Sequence, residues 1–197
     1  MGVTQTTLVF LDDDDNKSDY RFDQSAVLAT VGYRLSSGWN LRGAVGAILA
    51  GSLEADDASQ RGFDMNTGLV MSIAGSRQWT FGDAYFVNGS LSFAGASTST
   101  REAMTTGDDI GLSSFDLRLG AVAGRTFFDI WQPYLLTRLF AGPVLWQVDG
   151  QDLAGGDRFH FQFGVGSSLA TSFGLLVTAD VSVLGERSAS LGLGWNL

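Results

Sequence analysis

Apolar and polar residues alternate along most of this chain. In the segment "LLVTADVSVLG", the apolar Leu175, Val177, Ala179, Val181 and Val183 share one parity, while Thr178, Asp180 and Ser182 take the other. A period of two places these two sets on opposite faces of a β-strand. The same alternation recurs in ten segments, which lie near residues 4–11, 26–35, 41–53, 63–73, 85–93, 115–123, 132–148, 159–169, 175–183 and 189–197. The pattern therefore predicts an all-β chain with about ten antiparallel strands.

The segments near 41–73 and 132–148 decide which residues share the apolar face. The alternation groups Leu53, Phe63 and Met65 with the apolar set. Pro143 interrupts the seventh segment and lacks the N–H that a paired strand needs. We therefore expect a bulge at Gly142 and Pro143, which would keep Val144, Trp146 and Val148 on the apolar face.

The connections between the strands also alternate in length. Those near 12–23, 55–61, 97–111 and 149–157 are longer or richer in Asp, Gly, Ser and Thr, whereas those near 36–39, 77–83, 125–131 and 172–174 are generally tighter. Long loops at one end and short turns at the other are typical of outer-membrane barrels. Aromatic residues gather at the tight-turn end, and a membrane-interface girdle is predicted there. Its members are Trp39, Trp79, Phe81, Trp131, Tyr134 and Trp195.

Composition favours a membrane medium. The 197 residues are 45% hydrophobic and only 17% charged, and no apolar run approaches the roughly 18 residues of a membrane helix. A soluble lipid-carrier barrel or β-sandwich would alternate in the same way. Against it stand apolar faces of membrane-spanning length, an opposite face of Gly, Ser and Ala, and the banded aromatics. We expect residues 1–197 to form a single transmembrane up-and-down β-barrel domain, with Met1 standing where a cleaved leader ended.

With that pattern, the chain resembles the small Gram-negative outer-membrane β-barrels of the OmpA, OmpX and OmpW types. The closing "SLGLGWNL" resembles the C-terminal strand that the barrel assembly machinery recognises, although it ends in Leu197 where such proteins most often end in an aromatic residue. The resemblance implies a location in the bacterial outer membrane, contact with the lipid bilayer and lipopolysaccharide, and assembly by that machinery.

In a membrane barrel the polar face points into the lumen. This orientation predicts that charged side chains form an ion network or constriction there, since isolated buried charges are costly. Its predicted members are Arg42, Asp64, Asp116, Arg118, Arg138 and Asp180. Such a network braces the barrel or lines a narrow, weakly cation-preferring channel.

Other candidate sites are less specific. The acidic stretch Asp12–Asp15 with Asp19 has oxygen donors for Ca²⁺ but lacks the spacing of an EF-hand, so a solvated surface loop is favoured. His160 is the only histidine and lies three residues from Asp157, but its parity points it inward and no motif surrounds it. A formal charge of −9 without a basic stripe argues against nucleic acid. Three functions follow, in order: a structural or surface-interaction barrel, a small passive channel, and a membrane-embedded hydrolase using His160. No cofactor, metal or catalytic residue is predicted.

Overall fold

The computed structural model describes residues 1–11, 17–55, 62–103, 109–148 and 151–195. They form one antiparallel sheet of thirteen strands, so the prediction of an all-β antiparallel chain is confirmed. The strands are β1 (Gly2–Leu11), β2 (Lys17–Arg34), β3 (Trp39–Ala55), β4 (Gly62–Met65), β5 (Gly68–Phe81), β6 (Tyr85–Glu102), β7 (Ile110–Arg125), β8 (Trp131–Ala141), β9 (Val144–Val148), β10 (Gln151–Asp157), β11 (Phe161–Ala170), β12 (Leu175–Gly185) and β13 (Arg187–Trp195). The described part of the chain contains no helix long and apolar enough to cross a membrane.

At the tight-turn end, ten strands close into a ring. Its order is β1, β2, β3, β5, β6, β7, β8, β11, β12 and β13, and β13 pairs back to β1. We call this part the ten-stranded section. Its turns lie at 35–38, 82–84, 126–130 and 171–174, as the short connections predict.

At the opposite end the sheet closes a second time with eight strands. The β12–β13 hairpin stops at Glu186, and beyond its tip β1 changes neighbour. Gly2–Gln5 pairs with β13, whereas Leu8–Leu11 pairs with β10. The closed order is then β1, β2, β3, β4, β6, β7, β9 and β10. We call this part the eight-stranded collar.

The ten-stranded section is apolar outside, and its interior carries mostly small or polar side chains together with the buried Phe86, Leu136 and Phe140. Outward residues such as Val31, Ile73 and Leu119 are exposed by 80%, 67% and 59%, while the inward Gly120, Gln162 and Ser182 are buried. The apolar set that includes Val181 and Val183 faces outward as predicted, and these two side chains are exposed by 47% and 61%.

The collar has the opposite polarity. Its interior holds an apolar core of Leu8, Phe10, Ile48, Leu53, Phe63, Met65, Leu112, Val144, Trp146 and Val148. Its outer face carries charged residues, including the exposed ion pairs Arg21–Asp23 and Arg101–Asp109. Polar outside and apolar inside is the arrangement of a water-exposed β-structure.

This inversion corrects the predicted faces of six residues. Leu53, Phe63, Met65, Val144, Trp146 and Val148 all lie inside the collar. In β3 the inversion follows an irregularity in the pairing with β2, where Ser25 lies opposite Ala50 and Ala26 lies opposite Ile48. Leu49 is skipped, so the inward side chains change from even-numbered residues such as Ile48 to odd-numbered ones such as Gly51 and Leu53. In β4 and β5 it follows the break at Asn66 and Thr67.

The expected bulge at Pro143 is absent. Ala141 lies opposite Leu117 and Val144 lies opposite Ser114, so each strand has two residues between these pairs and neither has an extra one. The even-numbered residues therefore point inward in β8 and continue to do so in β9. The Phe115 N–H still donates to the Pro143 carbonyl over 3.0 Å. The apolar residues change from odd-numbered positions in β8 to even-numbered positions in β9. They do so because apolar side chains face outward in the ten-stranded section but inward in the collar.

Candidate functional site

A connected cluster of polar side chains lies in the interior, at the junction between the two rings. Its centre is Glu186, at the tip of the β12–β13 hairpin and only 3% exposed. The preceding Gly185 has φ +74°, and a Cβ there would lie 1.8 Å from the Phe161 carbonyl oxygen. Glycine therefore permits the tight turn that directs Glu186 inward.

Arg118 on β7 binds Glu186 with both terminal nitrogens. Its Nη1 donates to Glu186 Oε1 over 2.8 Å and its Nη2 donates to Oε2 over 2.9 Å. The Nε of Arg118 also donates to Asp116 Oδ2, and the guanidinium lies 4.9 Å from the ring centre of Phe140. Paired donors on a planar guanidinium give a strong and directional contact. One arginine therefore binds two carboxylates, one on its own strand and one at the tip of the β12–β13 hairpin.

Gln162 extends the cluster around the wall. It is fully buried on β11, and its Nε2 donates to Ser188 Oγ over 2.7 Å and to Glu186 Oε1 over 3.2 Å. Its own carbonyl oxygen accepts from Arg138 Nη1 over 2.8 Å. The junction cluster, which we define as Asp116, Arg118, Arg138, Gln162 and Glu186, thus connects β7, β8, β11 and the hairpin tip.

Asp180 lies deeper in the ten-stranded section with separate partners. Its Oδ1 accepts from the Tyr134 hydroxyl over 2.5 Å and its Oδ2 accepts from Ser190 Oγ over 3.1 Å. Gly166 makes room for this contact, because a Cβ there would lie 2.2 Å from Asp180 Oδ1. Tyr134 therefore points inward, which corrects its placement in the predicted girdle.

Two predicted lumen residues lie apart from the cluster. Arg42 is solvent-exposed towards the tight-turn end, with Ser76 Oγ 3.5 Å from its Nη2. Asp64 is corrected, since it lies exposed on the outer face of the collar opposite Arg101. The cause is again the inverted parity of β4, whose inward residues are Phe63 and Met65.

A cavity of about 190 Å³ separates the junction cluster from the collar core. Asp116, Arg118, Asp157 and Glu186 contribute charged groups to its lining. The rest of the lining is mixed and includes both apolar and polar uncharged side chains, among them Leu8, Ile48, Leu112, Thr6, Gln24 and Thr98. No group of three or more His, Cys, Asp or Glu arranged to hold a metal occurs among the described residues.

Four aromatic rings fill the collar beyond this cavity. Trp146 has no exposed surface and packs on Phe63, Tyr20 and Phe10, with centroid distances of 4.7, 5.1 and 5.3 Å. Its Nε1 donates to Thr100 Oγ1 over 2.9 Å. We call these four rings the aromatic cluster. It packs together with the rest of the apolar core inside the collar.

The remaining predicted girdle residues lie at the tight-turn end. Trp39, Trp79, Phe81, Trp131 and Trp195 are all 41% to 58% exposed. The Trp131 indole also donates to Ser167 Oγ over 2.7 Å.

The acidic stretch Asp12–Asp15 lies outside the described residues. Its neighbour Asp19 accepts from Arg158 over 2.7 Å at the collar surface. His160 lies exposed in the break between β10 and β11, where regular alternation stops, so it does not take the inward position that parity predicts.

Sequence reasoning missed Glu186, Gln162 and Asp157 as members of the interior site. The alternation could have predicted the inward direction of Glu186. Ser190 and Ser188 point inward, and Glu186 is the next residue in steps of two. Glu186 lies between the predicted strands 175–183 and 189–197, so the alternation was not extended to it. Gln162 was on the inward face but carries no charge, so it drew no attention.

No family model and no curated protein matches this chain. Among solved structures, the chain is similar to the transport unit of the autotransporter AIDA-I from Escherichia coli. The match has 11% identity and a TM-score of 0.45, and it covers 100% of this chain and 88% of the other. A similarity at this level assigns neither a family nor a function, and the OmpA, OmpX or OmpW class is not specifically supported.

Proposed function

We propose that this chain is an integral outer-membrane β-barrel that acts as a structural and surface-interaction protein. The observation that carries the proposal is the change of polarity along the ring. The ten-stranded section exposes apolar side chains, whereas the collar exposes charged ones and buries apolar ones. The first pattern suits lipid and the second suits water.

Strand lengths support this division. A tilted strand needs about 9–11 residues to cross a bilayer. Strands β8, β11 and β12 have 11, 10 and 11 residues, whereas β2, β3 and β6 have 18, 17 and 18. The longer strands continue from the ten-stranded section into the collar. The collar therefore projects from the bilayer and presents its polar surface to partners.

The partners of this surface follow from its chemistry. The chain has a formal charge of −9, so lipopolysaccharide phosphates would meet it through bridging divalent cations. The outer leaflet of the bacterial outer membrane is the proposed environment, and the barrel assembly machinery would insert the chain. The exposed position of His160 lends no support to a catalytic role for it.

The passive-channel alternative is weaker than the structural one. The aromatic cluster packs inside the collar, and the junction cluster lies along the interior wall between β7 and the β12–β13 hairpin tip. Purified protein in a planar bilayer is therefore expected to give no ion current above background. A steady, protein-dependent conductance would revive the channel function.

Membrane placement can be tested within one protein by tryptophan fluorescence. Variants that keep one tryptophan, with the others replaced by phenylalanine, are reconstituted with brominated lipids. Trp195 at the tight-turn end is expected to be quenched strongly, because it is 58% exposed on the outer face. Trp146 inside the collar serves as the matched control and is expected to keep its fluorescence. Equal quenching of both, or of neither, would contradict the proposed division between membrane section and collar.

A further inference from the structure

The cavity between the junction cluster and the collar core carries an excess of negative charge. Its lining contains three carboxylates, which belong to Asp116, Asp157 and Glu186. Arg118 is the one cation among the described lining residues, and its guanidinium already binds both Glu186 and Asp116. Three negative charges against one positive charge leave two without compensation. Because buried charge is costly without a partner, this imbalance favours a cation in the cavity.

Polar atoms without partners concentrate at the same cavity. Within the described part of the chain, four buried side-chain oxygens lack a hydrogen-bond partner, and three of them belong to lining residues. These three are Thr6 Oγ1, Asp116 Oδ1 and Asp157 Oδ1. Thr6 is only 8% exposed. Buried polar atoms are normally hydrogen-bonded, so this group of oxygens indicates a donor that the described residues do not supply.

The lining also contains a set of apolar side chains. These are Leu8, Ile48, Met65, Leu112 and Val144, all of which belong to the collar core as well. The volume of about 190 Å³ exceeds that of an apolar cavity of about 150 Å³, which is large enough for benzene. A metal ion would leave this apolar surface uncovered, and no group of described carboxylates is arranged to hold one. An organic cation with a short alkyl chain fits both the charge and the apolar surface.

We propose that this cavity binds a small organic cation, namely a primary ammonium group on an alkyl chain, with about six non-hydrogen atoms in all. An ammonium has three N–H donors, which match the three unpartnered oxygens of Thr6, Asp116 and Asp157. The alkyl chain packs on the apolar side chains of the lining. Ligand pockets commonly combine such an apolar lining with a few polar groups that fix the orientation of the ligand.

The interior of the ten-stranded section offers a route to the cavity. Inward residues of β5 and β6 on the tight-turn side of the cavity include Ser72, Ala74, Ser90 and Ser92. Their small side chains leave room inside this part of the wall. We therefore expect the ligand to enter from the tight-turn end, without opening the apolar core of the collar.

The test uses n-pentylammonium and the full-length protein in detergent micelles at pH 8. Burial raises the pKa of Asp157 to about 6, so its carboxyl is ionised at this pH. Binding is expected to give nuclear Overhauser contacts between the ligand chain and the methyl groups of Leu8, Ile48 and Leu112. Ile73 is the matched control, because it is 67% exposed on the outer face. Contacts confined to Ile73 would show partition into detergent alone and would overturn the proposal.

A neutral ligand separates recognition of the charge from filling of an apolar cavity. 1-Pentanol has the same chain as n-pentylammonium but carries no charge. It is expected to bind at least about tenfold more weakly, because it lacks charge-assisted hydrogen bonds to the carboxylates. Equal affinity for the two ligands would reduce the site to an apolar cavity and contradict the proposed recognition of a cation.

Variants of the protein locate the binding. Asp157→Asn keeps the shape of the side chain but removes its charge, and it is expected to weaken n-pentylammonium binding at least about tenfold. Asp64→Asn removes a carboxylate from the exposed outer face of the collar and is expected to bind as the unsubstituted protein does. Unchanged affinity in Asp157→Asn, or an equal loss in both variants, would refute binding in the cavity.

Thr6→Val tests the same site without changing a charge. It removes one hydroxyl and keeps the volume of the side chain, so it is expected to weaken n-pentylammonium binding about threefold to tenfold. This variant keeps the proposal testable if Asp157→Asn fails to fold, and unchanged affinity would count against it. These results are independent of the proposed membrane function, since the cavity and its lining belong to the fold in either medium.

Discussion

Replacing Trp146 with alanine is expected to lower the free energy of unfolding by about 3–5 kcal/mol, the range for a large aromatic residue removed from a core. Trp146 is fully buried and contacts three other rings. The change also leaves Thr100 Oγ1 without the indole donor inside the collar. Guanidinium titration of the protein in lipid vesicles measures the loss.

Leu145→Ala is the matched control for this variant. Leu145 is the adjacent residue on β9, but its side chain is 47% exposed on the outer face. Its replacement is expected to cost less than about 1 kcal/mol. Trp146→Phe separates the ring from its hydrogen bond and is expected to fall between the two alanine variants. Similar losses for Trp146→Ala and Leu145→Ala would show that the collar interior is not a packed core.

Replacing Arg118 with methionine is the second change with a large expected effect. Glu186 is 3% exposed and receives both Arg118 terminal nitrogens, while Asp116 receives the Nε. Methionine keeps part of the side-chain volume but leaves these carboxylates uncompensated. Breaking a buried pair in this way costs about 3–5 kcal/mol. The same vesicle titration is expected to show a loss in that range.

Two comparisons identify the cause of the Arg118 effect. The Arg101–Asp109 pair lies on the collar surface with side chains about half exposed, so Arg101→Met is expected to cost no more than about 1 kcal/mol. Adding Glu186→Gln to Arg118→Met is expected to restore part of the lost stability, because one uncompensated charge disappears. Additive losses in the double variant would argue that Arg118 contributes through packing on Phe140 alone.

The local pattern of the sequence was sufficient to predict much of the ten-stranded section. Alternation depends only on neighbouring residues within a strand, so it separated the outward Leu117 and Leu119 from the inward Asp116 and Arg118 without any long-range information. Tight turns also leave local signatures, such as Gly38 and Gly174 at positive φ. The number of strands in the ring and the end at which the tight turns lie followed from these features.

The collar was decided only by the tertiary structure. Alternation separates two faces of a strand but does not say which one is inside, and the assumption of one polarity for the whole chain placed Leu53, Phe63 and Trp146 on the wrong face. Their true direction depends on strand pairing between distant residues, such as Leu8 with Asp157, which closes eight strands beyond the hairpin tip. The same closure carries Glu186 to Arg118 across 68 positions of sequence. A local pattern cannot encode that contact, because it exists only once the ring has closed.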